Sequence, residues 1–244
     1  MMMTMMKYSD KNLSHLAYAT LCGVHHKQQQ ERNQDALSFY QSPAYCVFCV
    51  ADGVGSHKHS RKGSRSVARA VKTTFKDYVK GKVERKKITS TIFRRFKSGV
   101  KEKYRGCASA TCLFVATVQG QGIFIGQAGD GLVIVRVNGV LQYVSVKDDD
   151  FSNEVVALSP SSERNRWTTR YFKLCQDDKV EIFLSTDGIS GDVIPGHEEE
   201  CLDYFLAKCL DGKRKGNKEL KQILKAWSEN GSNDDKTVII YKNR

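Results

Sequence analysis

Apolar positions along this chain follow two periods. Alternating or unbroken apolar runs occur at Leu16–Val24, Ala36–Tyr40, Tyr45–Val50, Thr111–Val118, Ile123–Ile125, Leu132–Val137, Val140–Val144, Val180–Leu184 and Thr237–Tyr241, and each predicts a strand. Gly, Asn or Asp punctuate most of them. Gln119-Gly-Gln-Gly122 and Asn138-Gly139 carry the residues of tight turns, so the middle of the chain reads as an antiparallel meander. A 3.6-residue period takes over in four places. Ser60–Lys80 spaces Val67, Val71, Phe75 and Tyr78 on one face, and Ser90–Tyr104 does the same with Ile92, Phe93, Phe96 and Val100. Glu198–Leu210 offers Cys201, Leu202, Phe205, Leu206 and Cys209, and Lys218–Trp227 offers Leu220, Ile223, Leu224 and Trp227. Many antiparallel strands with helices in pairs predict sheets at the centre and helices outside. From about Lys147 to Arg170 the pattern lapses through Asp148-Asp-Asp150 and Ser159-Pro-Ser-Ser162. Such a mobile surface insertion serves either as a functional lid or as a disordered segment.

The chain has 244 residues, only three prolines and no Gly/Ser-rich linker, which predicts a single domain over residues 13–244. Residues 1–12 read as a disordered leader, since all five methionines fall in the first six positions and no secretory signal pattern follows. The longest unbroken apolar run, Ala44–Ala51, has eight residues, against the roughly 20 that a membrane helix needs. No membrane partner is therefore expected. The eight cysteines are unnecessary for a core of this size and read as reduced thiols in a cytoplasm. Cys46 and Cys49 stand three apart on a predicted strand, point to opposite faces and cannot share a metal.

Net charge is +12, from 39 Lys and Arg against 27 Asp and Glu. It is concentrated in one segment. Lys58 to Arg105 holds 18 basic and three acidic residues, a net of +15, and the remaining 196 residues sum to −3. This segment covers the first helix pair, so it is either a solvated face or the seat of an acidic partner. Specific nucleic-acid recognition is disfavoured, because the segment lacks interleaved surface aromatics and a Gly-x-x-Gly loop.

The −3 remainder contains a feature that composition does not predict. Three apolar strands end in Asp-Gly, at Asp52-Gly53, Asp130-Gly131 and Asp187-Gly188. Asp234 stands just before a fourth strand and Asp35 just before a fifth. Strands deliver their terminal residues to one edge of a sheet, so these carboxylates can converge. Together they repel one another unless a cation neutralises them, and an all-oxygen set favours Mg²⁺ or Mn²⁺. Asp-Gly is also a turn signal. For Asp130-Gly131, between two predicted strands, a plain hairpin stays open, whereas Asp52-Gly53 precedes a helix and fits a hairpin poorly.

In order and spacing the set resembles the metal-dependent type 2C Ser/Thr protein phosphatases. The matching stretches are Arg32-Asn-Gln-Asp35-Ala36, Val50-Ala-Asp52-Gly-Val-Gly55, Ser109-Ala-Thr-Cys112, Gly126-Gln-Ala-Gly-Asp130-Gly131, Leu184-Ser-Thr-Asp187-Gly-Ile189 and Asp234-Asp-Lys-Thr-Val238. Gly23-Val-His-His26, together with Phe151-Ser-Asn-Glu154, is similar to a compact bacterial subgroup. The resemblance implies an α+β fold, an α-β-β-α sandwich of two antiparallel sheets flanked by helix pairs. It also implies two Mn²⁺ or Mg²⁺ ions bridged by a hydroxide that attacks phosphoserine or phosphothreonine in proteins. Asp52 would bridge both ions and the Gly53 carbonyl would ligate one. Asp187 and Asp234 would hold the first ion, Asp35 would support the second, and Asp130 would help bind a weaker third.

Three positions depart from the pattern. Many members carry a phosphate-binding arginine five residues before the first aspartate, where this chain has Gln30. His26, Lys27 and Arg32 are the candidates for that role, with His26 favoured because the subgroup carries histidine there. Asp235 stands where Asn is usual, and Asp192 falls one residue late for the ligand that many members place in its loop. These departures leave open an alternative, a catalytically weak pseudophosphatase acting as a binding module. His57 and His59 follow the Asp52 loop and read as exposed residues near substrate. The implied partners are phosphoproteins and a Ser/Thr kinase, with an acidic partner at the basic helices.

Overall fold

The computed structural model describes residues 15–55, 57–145, 157–163, 166–211 and 216–243. The leader, Phe151–Glu154 and much of the 147–170 insertion lie outside the described residues. Ten strands form two five-stranded antiparallel sheets. In the first sheet the order is β1 (His15–Leu21), β10 (Lys236–Lys242), β9 (Val180–Ser185), β6 (Leu132–Val137) and β7 (Val140–Val144). In the second it is β2 (Ala36–Gln41), β3 (Tyr45–Ala51), β4 (Cys112–Val118), β5 (Gly122–Ala128) and β8 (Thr168–Lys173). Helices α2 (Ser60–Tyr78) and α3 (Ile88–Gly99) cover the second sheet, and α5 (Glu198–Cys209) and α6 (Gly216–Asn230) cover the first. The two remaining helices, α1 (Val24–Gln28) and α4 (Asp187–Ser190), are single turns. This is the expected α-β-β-α sandwich.

The four layers explain why the central strands read as unbroken apolar runs. Every residue of β3 is buried. Val47, Cys49 and Ala51 face Val67, Val71 and Phe75 of α2. Cys46, Phe48 and Val50 face the other sheet and meet Val133, Leu184 and Ile239. Strand alternation thus places two apolar sets on opposite faces, and each has an apolar partner. Cys46 and Cys49 lie in different layers, as their spacing predicts, and all eight cysteines are free.

Four local expectations change. The first strand ends at Leu21 and not Val24, because the amides of Gly23 and His25 bond to Asp235 Oδ1 and the Asn233 carbonyl, 2.7 and 3.2 Å away, and a helical turn begins. The second basic helix stops at Gly99; Val100 is extended, and Glu102–Cys107 forms a separate 3-10 turn. The strand β8 falls where no periodicity was visible, since this edge strand is mostly exposed and only Phe172 packs on the core. Finally, Asp130-Gly131 is no hairpin: it carries the chain from β5 in one sheet to β6 in the other.

Phe48 is fully buried between the sheets, with its ring 4.7 Å from that of Tyr241. Truncation there opens a cavity that neither sheet can collapse to fill. Phe48→Ala is expected to cost about 3–5 kcal/mol, read as a lower urea midpoint with unchanged slope.

Candidate metal centre

Strand register brings the carboxylates together. Asp35 precedes β2 and Asp52 follows β3, and these strands pair Ala36 with Ala51, so the two acids flank the same end of that ladder. In the other sheet Asp187 follows β9 and Asp234 precedes β10, neighbours that pair Ser185 with Val238. Leu132, two residues after Asp130, also pairs with Ser185, which sets the β5–β6 crossing at this end. Both sheets therefore deliver acids to one edge of the sandwich. Gly53 approaches the start of α2 so closely that a Cβ would stand 2.6 Å from the Ser60 backbone.

The acids feel one another. Burial raises the Asp35 carboxyl to about 6. It raises Asp187 to about 7, with the charges of Asp130, Asp234 and Asp35 adding to the effect. Asp52 is pushed well above the usual carboxylate range by burial and then by the charge of Asp35, with Asp187 and Asp234 contributing. Asp130 is raised by burial and by Asp234. One oxygen each of Asp35 and Asp187, both Oδ1, is buried without a partner. Lys236, fully buried nearby, donates instead to the Ser232 and Asp234 carbonyls and so shapes the Asp234 loop.

A depression of about 440 Å³ opens over this edge, lined by His25, His26, Gln29, Glu31, Asp52, Gly53, Gly55, Asn233 and Asp234. Of the three phosphate-binding candidates, His26 lines it and Lys27 and Arg32 do not; both are exposed. His57 and His59 are half-buried and not exposed as expected: His57 Nδ1 accepts from the Ser109 amide at 3.4 Å, and the His59 ring packs on Tyr104. Asp192 binds Trp227 Nε1 and the Ser232 amide at 2.8 and 2.7 Å, tying the end of α6 to the loop before β10.

Sequence reasoning missed the supporting groups. Thr186 donates its hydroxyl to Asp35 Oδ2 at 2.8 Å and accepts from the Thr237 amide at 3.0 Å, linking the two sheets. Thr111 Oγ1 accepts from the Asp52 amide. Asp235 accepts from the amides of Gly23 and Gln34 at 2.7 and 2.6 Å, and its Oδ2 lies 3.0 Å from His26 Nδ1. His26, Asp234 and Asp235 bring ligand atoms within 4.8 Å of one another. Both oxygens of Asp235 are already bonded to backbone, so its part is to fix the loops around it. The Ser-Thr-Asp and Asp-Asp-Lys-Thr stretches held that signal, but only the pairing of β9 with β10 gives it meaning.

Two antiparallel sheets with an oxygen-rich acidic cluster at their common edge suit hard divalent cations. The protein phosphatase 2C family model matches residues 22–225, and the chain belongs to that family of phosphoprotein phosphatases, which depend on Mn²⁺ or Mg²⁺. Among solved structures it is similar to the photosystem II phosphatase PBCP, at 15% identity, covering 95% of this chain and 99% of that one with a TM-score of 0.68. It is similar to the serine/threonine phosphatase Stp1 from Staphylococcus aureus, at 16% identity, 95% and 96% coverage and a TM-score of 0.65. RsbX, crystallised in complex with magnesium, matches at 15% identity, 97% and 98% coverage and a TM-score of 0.61. These likenesses concern the fold. A search of the curated proteins returns no match. No helix among the described residues is long and apolar enough to cross a membrane.

The raised carboxyls make a prediction for the metal-free protein. Their folded-state values lie above the roughly 4 of an unfolded aspartate, so the folded state holds protons more tightly. The stability they lend is present below about pH 4 and is lost as pH rises through 6 and 7. In chelator, the melting temperature is expected to fall from pH 5 to pH 7.5. Asp52→Asn should flatten that fall and melt higher at pH 7.5, by about 2–4 °C per kcal/mol of repulsion removed. Thermal scans of both proteins at the two pH values check this.

Proposed function

We propose that the domain spanning residues 13–244 hydrolyses phosphoserine and phosphothreonine esters in proteins, in a bacterial cytoplasm, with two Mn²⁺ or Mg²⁺ ions held at the common sheet edge. One observation carries this reading: four carboxylates from two sheets meet at one edge, with two buried oxygens unpartnered and the nearby lysine committed to backbone carbonyls. An all-oxygen set with surplus negative charge fits hard divalent cations. Asp52 and the Gly53 carbonyl, Asp187 and Asp234 would hold the ions, with Asp35 supporting one and Asp130 assisting a third, weaker one. Bound there, the ions would acidify water at neutral pH and offset charge on the phosphoryl oxygens. The eight free cysteines support a reducing compartment.

The chain's own residues prepare the site. Thr186 and Thr111 hold Asp35 and the Asp52 backbone in place, so the carboxylates need no reorganisation when substrate arrives. Asp235 Oδ2 lies 3.0 Å from His26 Nδ1, beside a ring in the lining of the depression that would meet the phosphoryl group. We assign the phosphate-binding role to His26 and not to exposed Arg32.

Mn²⁺-dependent release of phosphate from a phosphothreonine peptide is expected, abolished by chelator and reduced at least ~100-fold in Asp52→Asn. Calorimetry should show Mn²⁺ binding to the wild-type protein. A protein that binds no Mn²⁺ and releases no phosphate would be the binding module instead. His26→Ala is expected to lower kcat/KM about tenfold or more while Arg32→Ala stays within about twofold, measured on the same peptide; the reverse order would move the phosphate to Arg32.

A further inference from the structure

The surplus positive charge has a shape. Lys62, Arg65, Arg69, Lys72 and Lys76 are spaced by three or four residues along α2 and are all exposed. That spacing places them in one stripe of the helix, about 21 Å long at 1.5 Å per residue. None of the five forms an ion pair among the described residues, whereas Arg95, Lys86, Lys87 and Arg136 all do.

The stripe starts beside the candidate metal centre. The loop that leaves Asp52 and Gly53 runs through exposed Lys58 into the first turn of α2. There Lys62 Nζ sits 3.4 Å above the Tyr104 ring, Lys103 Nζ lies 5.1 Å from it, and the His59 ring packs 4.1 Å away. Partial burial and the charges of Lys62, Lys58 and Lys103 hold the His59 imidazole below its ordinary range, as cationic crowding requires.

We propose that this ridge, from Lys58 and Lys62 along α2 to Lys76, binds an acidic segment that flanks the phosphorylated residue of the substrate protein. The inference rests on the phosphatase reading above and adds a substrate class to it. Five cations over about 21 Å match about six residues of extended chain. The ridge lacks the parts that other polyanions use. Its aromatic ring, Tyr104, is already covered by Lys62 and His59, so no platform is left for stacking bases. The exposed large apolar residues, Tyr40, Val140, Leu141, Tyr171, Ile194 and Tyr204, all lie off α2 and α3, so nothing on this face inserts into lipid.

The test uses three phosphothreonine peptides with the Mn²⁺-loaded protein: six glutamates before the phosphoresidue, six after it, or neutral flanks. At least one acidic peptide is expected to show a KM about tenfold below the neutral one, as several exposed charge pairs acting together allow. The triple variant Arg65→Gln, Arg69→Gln, Lys72→Gln should erase that difference and leave the neutral peptide within about twofold. Equal KM values in the wild type, or an advantage that survives in the variant, overturn the proposal. If the wild type hydrolyses none of the peptides, the phosphatase reading fails separately, and fluorescence anisotropy with the unphosphorylated peptides decides the ridge. Tighter binding of an acidic peptide that is lost in the variant upholds it, and equal binding overturns it. Preference for single-stranded RNA or phosphatidylserine vesicles over every peptide, lost in the same variant, overturns it in favour of that partner.

Discussion

Phe48, Leu113, Ile125, Val133, Leu184 and Ile239 fill a layer that neither sheet can close alone. Each sheet needs the other's inner face, and burial at about 25 cal/mol per Å² drives them together. Alternation along each strand then leaves a second apolar set outside, and the helix pairs cover it. The seam also sets the relative position of the strand ends, and through them the position of every carboxylate in the metal centre. A slip of one residue in either sheet would turn each strand's apolar sets over. The chemistry is thus aligned by the same packing that stabilises the fold.

That alignment works against the protein at the edge. Asp35, Asp52, Asp187 and Asp130 are all pushed toward the protonated form by burial, and each also by the charge of at least one neighbouring aspartate. A fold selected for stability alone would not gather them. Thr186, Thr111 and Asp235 hold backbone and side chains so that the repulsion is not relieved by spreading the loops. The fold tolerates this strain because the seam and helix layers supply the remaining stability, and a divalent cation bound there would relieve it.

Charge is distributed by layer. The helices over one sheet carry the +15 segment, while the carboxylates of the candidate metal centre belong to the nearly neutral remainder. A face with that excess does not help the chain fold; self-repulsion costs stability. Its place at the exit of the Asp52 loop ties it to whatever enters the depression.

Much of this was legible in the chain itself. Strands buried on both faces announce themselves as apolar runs, and β3, β4 and β9 lie where those runs fall, because any register that buried them would need two covering layers. The acids at strand ends were visible too, since Asp-Gly after an apolar run is a local pattern. Free cysteines and the segregated charge follow from spacing and composition. The turn α1, the edge strand β8 and the β5–β6 crossing were not legible. Each depends on a partner far away in sequence: Asp235 for the amide of Gly23, β5 for β8, and the second sheet for Asp130. The same holds for His26 against Asp235 and for Thr186 between Asp35 and Thr237. Local periodicity records which face of an element is buried. It does not record which distant group will satisfy a hydrogen bond, and that choice was made only when the sheets closed.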